Sequence, residues 1–140
     1  MTRELCLAQL AAFLDGEGCI TILSRKRKTL YGVYHIYQPH VMIANTDKRL
    51  IDWLKRNFGG WESKRQPSNP NSRVAYTWYM TNVKGLLRRA YSYLILKREQ
   101  AQIIIDFPVS KKANGNRTEE DKGRQEQAYL KVRQLNKRGV

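Results

Sequence analysis

Asp15 and Glu17 are acidic residues at a position where a helix ordinarily carries basic ones. The apolar run from Leu10 to Leu14 predicts a helix, and the Asp-Gly-Glu-Gly that follows predicts its C-terminal end. Acids at that end face the negative pole of the helix dipole, which costs roughly 0.3–1 kcal/mol each when they are exposed. An unfavourable placement of this kind indicates a site. In a chain with 26 basic and 12 acidic residues, paired acids are suited to holding a divalent metal ion against phosphate.

The composition favours a nucleic-acid partner. The 140 residues fit one domain, and their formal net charge of +14 predicts binding to a polyanion. Cys6 and Cys19 lack metal-ligand spacing, so neither a zinc site nor a disulfide framework is expected. No apolar run has the length of a membrane span, and no signal-peptide pattern opens the chain. We therefore expect a soluble, intracellular protein without a membrane partner, in the cytoplasm, nucleoid or organelle matrix according to its host.

Hydrophobic periodicity predicts the elements that position the two acids. Pro39 indicates that the second strand is bulged or at an edge there, and Gly59 and Gly60 end the second helix. The predicted order is helix 5–14, strands 19–28 and 33–44, helix 47–58, strands 61–66 and 73–81, helix 83–105, and a last helix from residue 118.

The chain divides into a core domain at 1–109, a polar linker at 110–117 and a C-terminal helix at 118–140 packed on the same domain. Thr118 begins a sequence that resembles a capping box. The predicted apolar positions of this last helix are Ala128, Leu130, Val132 and Leu135.

The first predicted helix is apolar nearly all round, so it must be covered on every side. We expect Leu10, Phe13 and Leu14 to face the core of the chain itself. The small residues Ala8, Ala11 and Ala12 leave a face that a second helix can approach closely. The chain has no second copy of this helix to serve as the partner, so we infer a two-fold homodimer. Packing of that face within one subunit is the alternative. The predicted dimer-interface residues are Leu7, Ala8, Ala11, Ala12 and Asp15.

Polar and basic side chains alternate with apolar ones along the strands and are predicted to share one face of the sheet. Arg suits guanine, Gln suits adenine, and Thr adapts to either in a major groove. We expect aromatic side chains on the opposite face, and a merely solvated strand face is the alternative. The predicted DNA-binding residues are Thr21, Arg25, Arg27, Gln38, His40, Arg65, Arg73 and Thr77.

The residues from Leu10 to Gly18, Leu-Ala-Ala-Phe-Leu-Asp-Gly-Glu-Gly, resemble the nine-residue motif of the LAGLIDADG homing endonucleases. Ala12 stands where the motif has its first Gly, and Glu17 where it has its last Asp. The resemblance implies an α+β fold of αββαββα order, with a four-stranded antiparallel, saddle-shaped sheet and additional C-terminal helices. The order of elements predicted from periodicity agrees with it up to about Phe107.

The resemblance also implies a catalytic site. Glu17 and the carbonyl of Gly16 are the expected metal ligands, and the metal is Mg²⁺ or Mn²⁺. Glu17, Lys97 and Asn45 are the expected catalytic residues. Arg98 is a rival for the basic role, and Arg49 is a further candidate near the site.

The implied activity is a sequence-specific homing endonuclease that makes metal-dependent double-strand breaks in a long pseudo-palindromic DNA site. Its gene is then expected inside an intron or a similar mobile element. The alternative is an RNA-binding maturase that assists intron splicing on the same fold, with intron RNA as its partner. A third possibility is a DNA-binding protein that has lost cleavage. Glu17 discriminates among them, because a pure RNA binder has no need of an acid there.

Overall fold

A computed structural model of the chain describes residues 1–109 and 119–138. Helices pack against one face of a four-stranded antiparallel sheet, which confirms the predicted α+β fold. The helices are α1 (Arg3–Glu17), α2 (Lys48–Phe58), α3 (Lys84–Ala90), α4 (Arg98–Ile105) and α5 (Glu119–Arg138), with a 3-10 turn at Tyr91–Tyr93; the strands are β1 (Gly18–Thr29), β2 (Gly32–Asn45), β3 (Trp61–Arg65) and β4 (Ala75–Thr81).

The strands lie in the order β1-β2-β4-β3. β4 pairs with β2 only from His40 to Asn45, whereas β1 pairs with β2 along its whole length. Pro39 therefore lies just beyond the end of β4, where β2 has become an edge strand. Because β2 has no partner on that side, the N–H that proline lacks leaves no ladder hydrogen bond unmade. The prediction of an edge at Pro39 is confirmed, and the register shows no bulge there.

The core lies between the sheet and the helices. Ile20, Val41 and Trp78 point into it from the strands, and Leu10 and Leu14 enter it from α1. All five are fully buried, which satisfies the alternation that the sequence predicts for half-buried strands.

The turn after α2 needs both of its glycines. Gly59 and Gly60 have φ of 77° and 88°, a region that side-chain-bearing residues rarely adopt. A Cβ at Gly60 would also lie 2.7 Å from the carbonyl oxygen of Tyr79. Because the turn lies this close to β4, the indole N–H of Trp78 can donate to the carbonyl of Gly59 at 2.7 Å.

The predicted continuous helix over 83–105 is wrong. The helix ends at Ala90, passes through a 3-10 turn, and restarts at Arg98. The apolar spacing continues through the break, because Leu94 and Ala101 are both buried. The backbone N–H groups of the interrupted segment instead donate to the carboxylate of Asp15 in α1.

The last helix, α5, packs against β1 and α4. Val132 is buried and the ring of Tyr129 lies 5.3 Å from that of Tyr37 on β2. Leu130, predicted to be on the apolar face, is exposed, because the buried side follows a spacing of three and four residues that excludes it. The predicted linker 110–117 and the cap at Thr118 lie outside the described residues. In the described ranges, no helix is long and apolar enough to cross a membrane.

Candidate metal centre and nucleic-acid interface

Glu17 is the last residue of α1, and its side chain is exposed. The amide of Asn45, the last residue of β2, donates to its carboxylate at 3.0 Å. The amide oxygen of Asn45 accepts in turn from the backbone N–H of Asp47 at 2.8 Å. The structure thus brings together two of the predicted site residues and fixes the orientation of the carboxylate.

Arg49 lies two residues beyond that contact but points to Asp47. Its guanidinium donates to Oδ1 at 3.0 Å and to Oδ2 at 2.6 Å. These hydrogen bonds hold the pKa of Asp47 at about 2, below its usual range. Arg49 is therefore bound to its own neighbour rather than to Glu17.

The second motif acid, Asp15, has a structural role. Its carboxylate accepts from the backbone N–H groups of Ile95 at 2.6 Å, Leu96 at 3.2 Å and Lys97 at 3.1 Å. These N–H groups belong to the irregular segment just before α4, where no helix or strand supplies acceptors for them. The carboxylate therefore sits at the positive end of α4, where a negative charge is favoured.

Lys97 completes a reciprocal contact. Its ammonium donates to the carbonyl oxygens of Leu14 at 2.5 Å, Asp15 at 3.1 Å and Gly18 at 2.8 Å. These carbonyls are at the end of α1, which has no basic residue in its own last turn. A lysine has three N–H donors, and all three are used here. The positive charge that the last turn of α1 lacks is supplied by Lys97, the residue just before α4.

The donor set at this end of α1 fits a hard divalent cation. A carboxylate and a backbone carbonyl are oxygen ligands of the kind that Mg²⁺ binds, together with waters and substrate phosphates. Glu17 and Gly16 are exposed, and Gly16 is not one of the residues whose carbonyls Lys97 bonds. Burial raises the pKa of the nearby Cys19 thiol, so that it stays protonated and is a poor ligand. Within the described residues no three His, Cys, Asp or Glu side chains converge.

The open face of the sheet is the face opposite the core. It is made of the odd-numbered residues of β1, β3 and β4 and the even-numbered residues of β2, as the pairing register requires. All but one of the predicted DNA-binding residues lie on it; Arg73, the exception, precedes the start of β4. Those on the open face are Thr21, Arg25, Arg27, Gln38, His40, Arg65 and Thr77.

His40 lies on the open face but is too buried to be a good DNA contact. It is only 7% exposed, and its ring lies 6.1 Å from that of Tyr79. Burial, and then the positive charge of Arg25, lower the pKa of His40. Its Nδ1 is buried without a hydrogen-bond partner. His40 is therefore poorly placed to reach DNA, because neighbouring side chains cover it.

The expectation that aromatic residues are confined to the core face is also wrong. Tyr79 pairs with Trp61 across the open face, with ring centroids 5.9 Å apart, and Trp61 is 53% exposed. The signal was present in the sequence, since Tyr79 lies two residues from Thr77 and must share its face.

The predicted dimer interface needs a similar correction. Leu7 and Ala11 are buried in the core of their own protomer, so their side chains are not available to a second helix. Ala8 is half-buried and Ala12 is exposed. Asp15 is held by the segment before α4.

The fold is that of the LAGLIDADG homing endonucleases, and solved structures of this class match the chain. The homing endonuclease I-CvuI, in complex with the I-CreI target in 2 mM Mg, is 19% identical with a TM-score of 0.75, over 95% of this chain and 83% of that one. The archaeal intron-encoded homing endonuclease I-Vdi141I, complexed with DNA, is 15% identical with a TM-score of 0.72, over 96% and 86%. The LAGLIDADG homing endonuclease I-GzeII, in complex with a DNA target, is 18% identical with a TM-score of 0.58, over 91% and 43%. No family model and no curated protein matches the sequence.

Proposed function

We propose that this protein is a homodimeric, sequence-specific DNA endonuclease of the homing type, whose cleavage requires a divalent metal ion. The observation that carries the proposal is the arrangement at the end of α1. Glu17 is exposed beside Asn45, while Asp15 and Lys97 fix the backbone on either side of it. If Glu17 served only to end the helix, the backbone on either side of it would not need to be fixed by Asp15 and Lys97.

Each residue at this end of α1 has a distinct task in the proposed mechanism. Glu17 and the Gly16 carbonyl would hold Mg²⁺ or Mn²⁺, which when bound activates a water and neutralises charge at the scissile phosphate. Asn45 orients the Glu17 carboxylate through its amide N–H. Lys97 is a positioning residue, because its donors are all bonded to carbonyls of the chain. It also places a positive charge close to where phosphate would lie.

The open face would read one half of the DNA site. Arg25, Arg27 and Gln38 lie on the part of β1 and β2 that extends beyond β4, and Arg65 lies on the far edge strand. Guanidinium and amide groups are the side chains best suited to base edges in a major groove. The net charge of +14 supplies affinity for the phosphates without sequence information.

Cleavage of both strands needs a second acidic site, which a second copy of the chain would provide. The side of α1 that carries Ala8 and Ala12 is only partly covered by the protomer, so two such helices could approach closely there. The length of I-GzeII agrees with this. Because this chain covers only 43% of it, that chain is about long enough to hold two domains of this size. A two-fold dimer would bring both Glu17 carboxylates towards one axis.

An RNA-binding maturase is the second candidate, and the exposed aromatic surface on the open face favours it. Proteins that recognise RNA by sequence stack unpaired bases on aromatic rings, and Trp61 is available for this. The exposed Glu17 weighs against it, because a protein that only binds RNA has no need of an acid at this position.

The test is cleavage of a randomised DNA library in Mg²⁺ and in EDTA, followed by sequencing of the ends. We expect Mg²⁺-dependent cuts at one long, near-symmetric site. Glu17→Gln should abolish cutting while DNA binding stays equal or becomes tighter, because a negative charge is removed. Glu4→Gln is the matched control: it removes the same charge from an exposed position at the other end of α1 and should cut normally.

Two outcomes would change the assignment. Cleavage retained by Glu17→Gln would remove this residue from the metal site. Tight binding of DNA without cleavage in any divalent metal would refute the nuclease, and binding of structured RNA in preference to DNA would establish the maturase instead.

A further inference from the structure

Met42, Tyr79 and Trp61 form an apolar row across the open face, one residue on each of β2, β4 and β3. The register pairs Met42 with Tyr79 and Tyr79 with Trp61. On β1 the partner of Met42 is Cys19, which is two residues from Glu17. The apolar row therefore crosses the sheet beside the proposed metal-binding end of α1.

The apolar row is ordered and accessible. The rings of Trp61 and Tyr79 are nearly parallel, with an interplanar angle of 25°. Met42 and Tyr79 are half-buried and Trp61 is exposed. Adjacent strands lie roughly 4.8 Å apart, so the three side chains span about 10 Å, which is close to the width of a B-DNA major groove of about 12 Å.

Charged and amide side chains on the same face lie at a distance from the apolar row. Arg25 is six residues along β1 from Cys19, which corresponds to about 20 Å at the rise of an extended strand. Twenty ångströms is about six base-pair steps. The open face thus offers apolar surface near the proposed site of cleavage. Its hydrogen-bonding groups lie farther out, on the part of the hairpin of β1 and β2 that extends beyond β4.

The charge of the surroundings identifies the class of partner. Arg25, Arg27 and Arg65 share the open face with the apolar row, so the surface as a whole attracts a polyanion. In the major groove of duplex DNA, the apolar feature that a protein can contact is the 5-methyl group of thymine. A duplex keeps its bases stacked on one another, and one face of the Trp61 ring is already turned towards Tyr79, so methyl contact fits better than base stacking.

We propose that Met42, Tyr79 and Trp61 select thymine at the base pairs nearest the cleavage positions by contacting its 5-methyl group. The inner part of each half-site is then recognised by apolar contact, and the outer part by Arg25, Arg27 and Gln38 on the hairpin of β1 and β2. This inference rests on the proposed function, because it requires duplex DNA on the open face.

The experiment replaces single thymines by uracil in the DNA site obtained from the library selection. Uracil keeps the hydrogen-bonding groups of thymine and lacks the methyl. Binding is followed by fluorescence anisotropy in Ca²⁺, so no cleavage is needed. Burial of one methyl-sized group is worth about 0.8 kcal/mol, so each inner replacement should weaken binding roughly fourfold, whereas outer replacements should have little effect. Placing 5-methylcytosine at an inner cytosine next to the row should strengthen binding.

Protein variants connect the effect to the row. Trp61→Ala changes an exposed side chain and should remove most of the difference between thymine and uracil at the inner positions. Tyr34→Ala is the control, because Tyr34 is an exposed aromatic on the same face at the outer end of the hairpin. It should leave the inner uracil effect unchanged. Met42→Gln should shift the inner preference from thymine towards adenine.

The outcomes separate this proposal from the one on which it rests. Duplex DNA that is bound and cut, with no inner preference for thymine and no uracil effect, overturns the inference and leaves the endonuclease intact. Tighter binding to sites with an unpaired inner base, lost in Trp61→Ala, would show base stacking and overturn it as well. Absence of any duplex binding would refute the proposed function itself.

Discussion

Replacing Asp15 by Asn removes a charge from the contact between α1 and α4 with almost no change in shape. The carboxylate accepts from three backbone N–H groups, those of Ile95, Leu96 and Lys97. An Asn side chain has one oxygen in place of two, and its NH₂ group would face donors. The variant therefore leaves at least one N–H without its partner and loses the favourable charge at the start of α4.

The magnitude follows from these bonds. A hydrogen bond to a charged group contributes about 1.5–3 kcal/mol net, and because Asp15 is half-buried we take a total loss of about 2–3 kcal/mol. The unfolding entropy of a 140-residue domain is about 0.3 kcal/mol per kelvin. The expected fall in Tm is therefore about 7–10 °C, measured by circular dichroism or differential scanning calorimetry.

Asp52→Asn is the matched control for this measurement. Asp52 forms an exposed ion pair with Lys48 at 3.3 Å, and such pairs contribute about 0–1 kcal/mol. The control should lower Tm by no more than about 3 °C. If Asp15→Asn lowers Tm no further than Asp52→Asn does, the contact does not stabilise α4 and the reasoning is refuted.

Two further predictions concern His40 and Ala12. The lowered pKa of His40 means that the unfolded chain binds its proton more tightly, so its neutral form contributes stability above pH 6.5 that is lost as the pH falls below that value. His40→Gln should flatten the dependence of Tm on pH between 7.5 and 5.5, and an unchanged slope would contradict this. Ala12→Arg, at an exposed position of α1, should give a folded monomer in sedimentation velocity; a dimer of unchanged affinity would refute packing through that side of the helix.

The faces of the sheet could be predicted from the sequence because a strand turns successive side chains to opposite sides. Ile20, Val41 and Trp78 are all buried as their alternation requires. The same rule places Tyr79 on the open face, because it lies two residues from Thr77. The burial of His40 was not predictable, because it depends on how neighbouring strands place large rings over it.

The break before α4 and the burial of Ala11 had no local signal. Apolar spacing continues across residues 94–97, and the interruption is made by Asp15 from the other end of the fold. Ala11 and Ala12 are adjacent and chemically identical, and which of them faces the core depends on the angle at which α1 meets the sheet. The resemblance placed Glu17 and Asn45 in one site, but the hydrogen bond between these residues, 28 positions apart, is visible only in the structure.

The reciprocal contact of Asp15 and Lys97 has a consequence for the order of folding. It joins residues 82 positions apart, and closing a flexible loop of that length costs roughly 4 kcal/mol of chain entropy. The strands of the sheet are complete by Thr81, so the sheet can form before this loop closes. A nascent or truncated chain that ends before Lys97 would hold the whole motif and the whole sheet, yet the end of its first helix would still be unfixed. The proposed metal site would then be completed only as the last part of the domain is made.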